Sequence, residues 1–182
     1  MQAETGAALT DAPPDPDAPA APGGWSRLHA LLLTCAAIVL VADQGTKAWA
    51  LANLEPGEPR DLVGSFLRLN LIRNPGAAFS IGEGVTWLLT LVALAVLVWV
   101  ALAARRLGSL PWAVALGLVL GGSVGNLADR LLREPGPGRG HVVDFLDYGG
   151  LFIGNVADIA IVTAAALVAV LTLRGVPVTG PP

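Results

Sequence analysis

The sequence contains few charged residues, a single cysteine and two histidines. Charged side chains make up 14% of its 182 residues, whereas a soluble domain carries about 25%. One cysteine and two histidines are too few for a disulfide framework or a Cys/His zinc site. The net charge of −3, with no basic cluster, excludes an extended contact with nucleic-acid phosphates. Because 54% of the residues are hydrophobic, the shortage of charge indicates a small integral membrane protein.

Residues 1–24 lack basic residues and contain almost no large apolar side chains. Their sequence, MQAETGAALTDAPPDPDAPAAPGG, is rich in Ala, Pro and Asp. Such a segment buries too little apolar surface to offset its ordering entropy, so we predict that it is disordered. It also has no positively charged n-region of the kind that opens a secretory signal peptide. We therefore divide the chain into this extension, a membrane domain over residues 25–175, and a short tail over residues 176–182.

Four stretches are long and apolar enough to cross a bilayer as helices. About 20 apolar residues span the hydrocarbon core, and a helix satisfies its own backbone groups there. The predicted spans are approximately residues 28–51, 85–104, 111–132 and 152–173. This arrangement places both termini on one side of the membrane. The total count of Lys and Arg does not orient the chain, but Arg105 and Arg106 adjoin the second span and favour cytoplasmic termini.

The segment between the first two spans has a different pattern. Within FLRLNLIR, leucines alternate with Arg68 and Asn70, and this period of two predicts a short strand or hairpin at the membrane surface. The predicted fold is therefore an all-α membrane protein with four transmembrane helices and a small extracytoplasmic β segment between helices 1 and 2.

Polar residues collect at the membrane face that carries this β segment. Asp43 and Lys47 are four residues apart at the end of the first span, so they can form an ion pair or act as an interfacial anchor. Charged groups inside lipid are costly, so such residues normally face the interior of a bundle and mark a functional site. The other polar residues at this face are Asn126, Asp129, Arg130, Asp144, Asn155 and Asp158.

Two converging carboxylates without a cluster of metal ligands suggest an aspartic dyad. Two acids at close range share a proton, so one can activate water while the other donates a proton. Asp144 and Asp158 are the candidates, whereas Asp129 is interpreted as an ion-pair partner. Asp147 is interpreted as a solvated residue of the polar link, residues 133–150, that connects the third and fourth spans. Ser123 matches the G-x-S-x-G pattern of serine hydrolases, but it lies in an apolar helical run. Its flanking glycines recur every four residues, which indicates helix packing.

Five blocks of the sequence resemble the bacterial lipoprotein signal peptidases, also called signal peptidase II. The blocks are DQGTK (43–47), NPGAAFS (74–80), GGSVGNLADRL (121–131), VVDFLDY (142–148) and NVADIAI (155–161), and they occur in family order. The resemblance implies a four-helix aspartyl protease with Asp144 and Asp158 as its catalytic residues. The polar residues that would bind substrate or support the site are Asp43, Lys47, Asn74, Asn126, Asp129, Arg130 and Asn155.

The resemblance also implies a substrate and a location. The substrate would be a prolipoprotein whose cysteine already carries diacylglycerol, cut on the amino side of that cysteine. No metal and no cofactor are expected, and the partners would be the substrate and the lipid bilayer. The enzyme would be a monomer in the bacterial cytoplasmic membrane, with cytoplasmic termini and an active site towards the outer face.

Three other classes of function are compatible with intramembrane acids. A transporter or proton pathway could relay ions through Asp158 and Asp43. A membrane phosphotransferase could use acidic residues to hold a divalent metal ion. A non-catalytic partner subunit would tolerate the substitution Asp144→Asn.

Overall fold

The computed structural model describes residues 27–76 and 86–179. The predicted disorder of residues 1–24 lies outside this range and stays a prediction. The four helices of the described part are each long and apolar enough to cross a membrane, which confirms the predicted architecture. In chain order the elements are α1 (Arg27–Asn53), β1 (Arg60–Val63), β2 (Leu67–Asn74), α2 (Thr86–Ala104), α3 (Leu110–Leu132), β3 (Val142–Asp147), β4 (Ile153–Gly154) and α4 (Val156–Leu173).

Helix α3 lies at the centre of the bundle because its small residues let two other helices approach closely. A Cβ on Gly121 would lie 2.6 Å from the carbonyl oxygen of Ala36 on α1, and one on Gly122 would lie 2.7 Å from the carbonyl oxygen of Ala157 on α4. Only glycine permits such close approaches. The predicted role of the glycine repeat in packing is therefore confirmed. Ser123 lies within the helix and not on a strand–turn–helix elbow.

The strands form one antiparallel sheet in the order β1-β2-β3-β4. The strand predicted between the first two helices is confirmed by β1 and β2, but the sheet is larger than predicted. Strands β3 and β4 come from the link between α3 and α4, which was interpreted as a polar connection only. In β3, Val143 and Phe145 alternate onto one face and join a buried apolar cluster with Ala50, Leu54 and Leu71. This cluster attaches the sheet to the end of α1.

Helix α4 begins later than predicted. The apolar run suggested a start near Phe152, but Ile153 and Gly154 pair with β3 as strand β4. Asn155 then caps the helix, since its side chain accepts a hydrogen bond from the backbone N–H of Asp158. The pairing of β4 with β3 is what brings the start of α4 next to the residues of β3.

At the opposite end of the bundle, the C-terminal tail packs against the loop between α2 and α3. The indole Nε1 of Trp112 donates a hydrogen bond to the carbonyl oxygen of Val176 at 2.9 Å. The backbone N–H of Gly108 donates to the carbonyl oxygen of Val178, also at 2.9 Å. The start of α1, the end of α2 and the C-terminal tail therefore meet at this end, which we call the terminal end. The end that carries the sheet is called the sheet end.

Candidate active site

Asp144 and Asp158 line the same cavity, which has a volume of about 730 Å³. Asp144 lies on β3 between Val143 and Phe145, which pack against the end of α1, so its side chain points the other way, into the bundle. Asp158 lies in the first turn of α4. Asp144 is 2% exposed, whereas Asp158 is half-buried. The structure thus brings together the two acids that the sequence analysis selected.

Asn155 contacts both acids and connects them. Its side-chain Nδ2 donates a hydrogen bond to Oδ1 of Asp144 at 2.6 Å. Its backbone N–H donates to Oδ2 of Asp158 at 3.0 Å, and its Oδ1 accepts from the backbone N–H of Asp158 at 3.0 Å. This reciprocal pair is a capping box, in which the third helical residue also bonds back to the cap. The fold of the first turn of α4 therefore fixes the position of Asp158 relative to Asp144.

The two remaining carboxylate oxygens each receive a hydrogen bond from another amide. Asn74, at the end of β2, donates from Nδ2 to Oδ2 of Asp144 at 2.8 Å. Asn126, on α3, donates from Nδ2 to Oδ1 of Asp158 at 2.9 Å. Every oxygen of the two acids therefore has an N–H donor, and three different structural elements supply these donors.

Burial raises the pKa of Asp144 to about 7, and the negative charge of Asp158 adds to this effect. Hydrogen bonds from Asn74 and Asn155 act in the opposite direction but do not outweigh burial. Asp144 can therefore keep a proton near neutral pH, as one member of an aspartic dyad must.

Lys47 lies behind the acids and is completely buried. Its Nζ contacts Asp43 Oδ2, Asp129 Oδ2 and Asn126 Oδ1, each at 2.9 Å, which uses all three donors of the ammonium group. The predicted pairing of Asp43 with Lys47 is confirmed. The alternative interpretation as an interfacial anchor is wrong, because neither side chain reaches the surface. Asp43 also accepts a hydrogen bond from the backbone N–H of Ala157 at 3.0 Å, which ties α1 to the start of α4.

Asp129 is an ion-pair partner, as predicted. Besides Lys47, it contacts Nε of Arg133 at 2.7 Å and accepts a hydrogen bond from the backbone N–H of Val143 at 3.1 Å. The contact with Val143 anchors the strand residue that immediately precedes Asp144. Asp129 therefore connects Lys47 on α1 with Val143 on β3.

Arg130 holds two chain segments together beside the cavity. Its guanidinium group donates hydrogen bonds to the carbonyl oxygens of Pro75, Gly76 and Gly140. These contacts agree with the expectation that Arg130 supports the site, whereas a role in binding substrate stays a prediction.

Two polar residues of this region were not identified by the sequence analysis. Asp147, interpreted as solvated, is only 1% exposed, which contradicts that interpretation. It accepts hydrogen bonds from Arg68 at 2.8 Å, Asn70 at 3.4 Å and the backbone N–H of Gly150 at 2.6 Å. The signal was present in the sequence, since Arg68 and Asn70 form the polar face of the alternating segment and a buried acid is the natural partner of that face.

Gln44 is the second missed residue. Its Nε2 lies within hydrogen-bond distance of Asp43 Oδ2 (3.1 Å), the carbonyl oxygen of Gly125 (3.0 Å) and Asp129 Oδ1 (3.3 Å). It therefore joins the two acids that flank Lys47. Gln44 is uncharged, and its partners on α3 could not be deduced from its position along α1.

Away from its polar end, the cavity is lined mainly by apolar side chains of α2 and α4, together with Val119 and Ser123 of α3. Leu89, Val92 and Val96 come from α2, and Ile161 and Val168 come from α4. Asp158 and Val168 are ten residues apart, so this apolar wall extends about 15 Å from the acids along the helix. The site therefore combines a small polar centre with a longer apolar groove, an arrangement that suits an amphiphilic substrate.

Comparisons with known proteins agree with this arrangement. A family model described as signal peptidase (SPase) II matches residues 35–174. A protein of Mycolicibacterium smegmatis named lipoprotein signal peptidase is 49% identical over 167 residues, covering 92% of this chain and 70% of the relative. One of Rhodococcus jostii with the same name is 51% identical over 165 residues, covering 91% and 83%. A solved bacterial membrane enzyme superposes with a TM-score of 0.72 at 27% identity, covering 80% of this chain and 88% of that chain.

Proposed function

The chain belongs to the signal peptidase II family, and we propose that it hydrolyses its substrate with Asp144 and Asp158 as an aspartic dyad. As a member of this family it is a membrane peptidase that processes lipoproteins. The proposal about the dyad is supported by one observation above all. The two acids line a common cavity and are connected through Asn155.

The two acids have different environments, which suggests different roles. Asp144 can hold a proton near neutral pH, because burial raises its pKa to about 7. Asp158 lies at the third position of α4, where the helix dipole stabilises negative charge. We therefore assign the proton to Asp144 and the negative charge to Asp158 before the reaction starts.

In the first step, Asp158 accepts a proton from a water molecule while the water oxygen attacks the carbonyl carbon of the scissile peptide bond. Asp144 gives its proton to the carbonyl oxygen, so the tetrahedral intermediate carries no net charge. In the second step, Asp158 gives its proton to the leaving nitrogen and the C–N bond breaks. Asp144 takes back a proton from the intermediate. One water molecule is consumed, and the products are a carboxylic acid and an amine.

The substrate that this site fits is a diacylglyceryl-modified prolipoprotein, cut on the amino side of the modified cysteine. The relatives are named lipoprotein signal peptidases, and the apolar groove between α2 and α4 can receive acyl chains or an apolar helix from the side. The acyl chains then stay in an apolar environment during the reaction. Transfer of each CH₂ group into water would cost about 0.8 kcal/mol.

We place the enzyme in the bacterial cytoplasmic membrane with its terminal end towards the cytoplasm. Within residues 27–36, 98–112 and 168–179 there are exposed arginines but no Asp or Glu. Such a charge distribution favours the anionic cytoplasmic leaflet. The active site then faces outwards, and we expect a monomer. The exposed arginines at the terminal end are Arg27, Arg105, Arg106 and Arg174.

The experiment that tests this function is cleavage of a purified prolipoprotein by the full chain in lipid nanodiscs. The lipidated precursor should give two products whose masses correspond to a cut directly before the modified cysteine. The same precursor without diacylglycerol is the matched control and should be cut far more slowly. A chelator should leave the rate unchanged, whereas loss of activity would favour a metal-dependent mechanism. Equal cleavage of both precursors would contradict the proposed substrate.

A further inference from the structure

A second cavity lies at the sheet end, beside the active site. Its volume is about 320 Å³, and it lies between the start of α2 and the link from α3 to β3. It is lined by Pro75, Thr86, Trp87, Pro135, Arg139 and His141. The proposed peptidase function does not use the side chains of Arg139 and His141, because the diacylglycerol of its substrate carries no charge.

The two cavities share a wall. Asn74 and Gly76 line the active-site cavity, whereas Pro75 between them lines the second cavity. On the other chain segment, Val142 lines the active-site cavity and His141 lines the second one. Pro75 and His141 of the second cavity are therefore chain neighbours of residues that line the active-site cavity, and one of these, Asn74, donates a hydrogen bond to Asp144.

Hydrogen bonds hold the walls of the second cavity in place. Thr86 Oγ1 donates to the carbonyl oxygen of Pro75 at 2.7 Å, which fixes the start of α2 against the end of β2. On the other side, the backbone N–H of His141 donates to the carbonyl oxygen of Glu134 at 2.9 Å, and that of Arg139 donates to Gly136 at 3.0 Å. The cavity is therefore formed before any ligand binds, which lowers the entropic cost of binding.

The chemistry of the lining suits a phosphate group at a membrane surface. Arg139 presents an exposed guanidinium group, which matches phosphate oxygens with two parallel hydrogen bonds. His141 adds an imidazole that becomes cationic at mildly acidic pH. No acidic residue of the described chain is among the lining residues. Trp87, 49% exposed in the first turn of a membrane helix, has the position of an interfacial aromatic residue.

We propose that this second cavity binds the phosphate of an anionic glycerophospholipid from the surrounding leaflet. The acyl chains of the lipid lie along the membrane surface of α2, and its headgroup enters between Arg139, His141 and Trp87. The site lies at the level of the lipid headgroups because α2 begins there and α3 ends there.

Binding at this site also supports catalysis through the shared wall. Arg130 ties the carbonyl oxygens of Pro75 and Gly140 together, and Asn74 donates its hydrogen bond to Asp144 from the residue just before Pro75. A phosphate that draws Arg139 and His141 towards Pro75 reduces the motion of this wall. Asn74 then holds the carboxyl group of Asp144 in one orientation for a larger fraction of the time, and this positioning raises kcat.

Binding is tested with the full chain reconstituted in phosphatidylcholine vesicles that contain increasing fractions of phosphatidylglycerol. The protein is then extracted in mild detergent, and the phosphatidylglycerol retained per protein molecule is measured. Wild type should retain about one molecule at saturation. Arg139→Gln should need about five-fold more anionic lipid for half-saturation. The control Arg60→Gln, an exposed arginine on β1 outside the cavity, should bind as wild type does.

The effect on catalysis is measured in the same vesicles as the rate of cleavage of a lipidated precursor. The ratio of kcat at high and zero phosphatidylglycerol should exceed one for wild type and for Arg60→Gln, and should approach one for the double variant Arg139→Gln/His141→Gln. Equal ratios in all three proteins, or unchanged lipid retention in the double variant, would overturn the proposal.

If inorganic phosphate without anionic lipid produced the same increase, the site would be one for free phosphate and the lipid assignment would be wrong. Cleavage itself in pure phosphatidylcholine reports on the peptidase function separately.

Discussion

Lys47 Nζ donates a hydrogen bond to Oδ1 of Asn126 at 2.9 Å, and this contact determines which end of the Asn126 amide faces Asp158. Asn155 donates to the same oxygen at 3.2 Å. With its oxygen occupied, Asn126 directs Nδ2 at Asp158. A lysine that lies behind the acids thus ensures that Asp158 receives a hydrogen-bond donor and not a carbonyl oxygen.

We predict that Lys47→Met lowers kcat by about 10- to 100-fold, the range expected when a carboxylate loses a hydrogen bond of 1.5–3 kcal/mol. Without the ammonium group, Oδ1 of Asn126 keeps only the longer hydrogen bond from Asn155, so the amide rotates away from Asp158 more easily. The variant also leaves Asp43 and Asp129 buried without their main partner, so the free energy of unfolding should fall by about 3–5 kcal/mol. Activity is therefore measured at a temperature where circular dichroism shows the variant folded. Arg133→Gln is the control, because Arg133 contacts Asp129 but not Asn126. A loss of kcat as large in Arg133→Gln would mean that only the ion pairs matter.

The pH dependence of the reaction should reflect Asp144. Its pKa is raised to about 7, so it carries its proton below that pH and loses it as the pH rises. Since the mechanism needs this proton, kcat should be high below pH 7 and fall about tenfold per pH unit well above it. The measurement is a kcat profile from pH 5 to pH 9 in one lipid composition. A rate that stayed constant or rose above pH 8 would show that Asp144 does not act as the acid.

Asp147 should contribute to stability and not to the reaction. In Asp147→Ala, Arg68, Asn70 and the backbone N–H of Gly150 lose a shared acceptor, so the free energy of unfolding should fall by about 2 kcal/mol. The midpoint of thermal unfolding should decrease while kcat of the folded protein stays close to wild type. Asp144→Asn, on the same strand, should instead lose most of its kcat. A wild-type unfolding midpoint in Asp147→Ala would contradict the buried ion pair with Arg68.

The packing of α3 against α1 can be tested with two glycines. A Cβ on Gly121 would lie 2.6 Å from the carbonyl oxygen of Ala36, whereas one on Gly45 would have no atom within 4 Å. Gly121→Ala should therefore destabilise the bundle, because backbone would have to move. Gly45→Ala should stabilise it by up to about 1 kcal/mol, since alanine favours the helix. Thermal unfolding in the same detergent measures both, and changes of the same sign in the two variants would contradict the close packing at Gly121.

The sequence predicted the helices and the main polar centre well, because both depend on local patterns. Long apolar runs specify membrane spans without reference to tertiary structure. The pair of Asp43 and Lys47 was found because helical spacing places these residues on one face. Asp144 and Asp158 were selected because an acid beside or within an apolar run is costly unless it has a function.

The features that were missed depend on contacts between distant segments. Ile153 and Gly154 continue an apolar run, and only their pairing with β3 separates them from α4. The burial of Asp147 follows from its position opposite Arg68 in the sheet, a register that no local pattern specifies. Gln44 was missed for the same reason, since Gly125 and Asp129, two of its three partners, lie on another helix.

The most direct test of the account compares Asp144→Asn and Asp158→Asn with wild type in cleavage of a lipidated precursor. Asp61→Asn, an exposed acid on β1, is the matched control. Asn keeps the size of the side chain but turns one acceptor oxygen into an N–H donor that faces an existing donor, so both dyad variants are assayed at a temperature where circular dichroism shows them folded. We predict that their rates fall by at least about 1,000-fold. Asp61→Asn should cleave at the wild-type rate. Cleavage at a substantial fraction of the wild-type rate by either Asp144→Asn or Asp158→Asn would contradict the aspartic dyad.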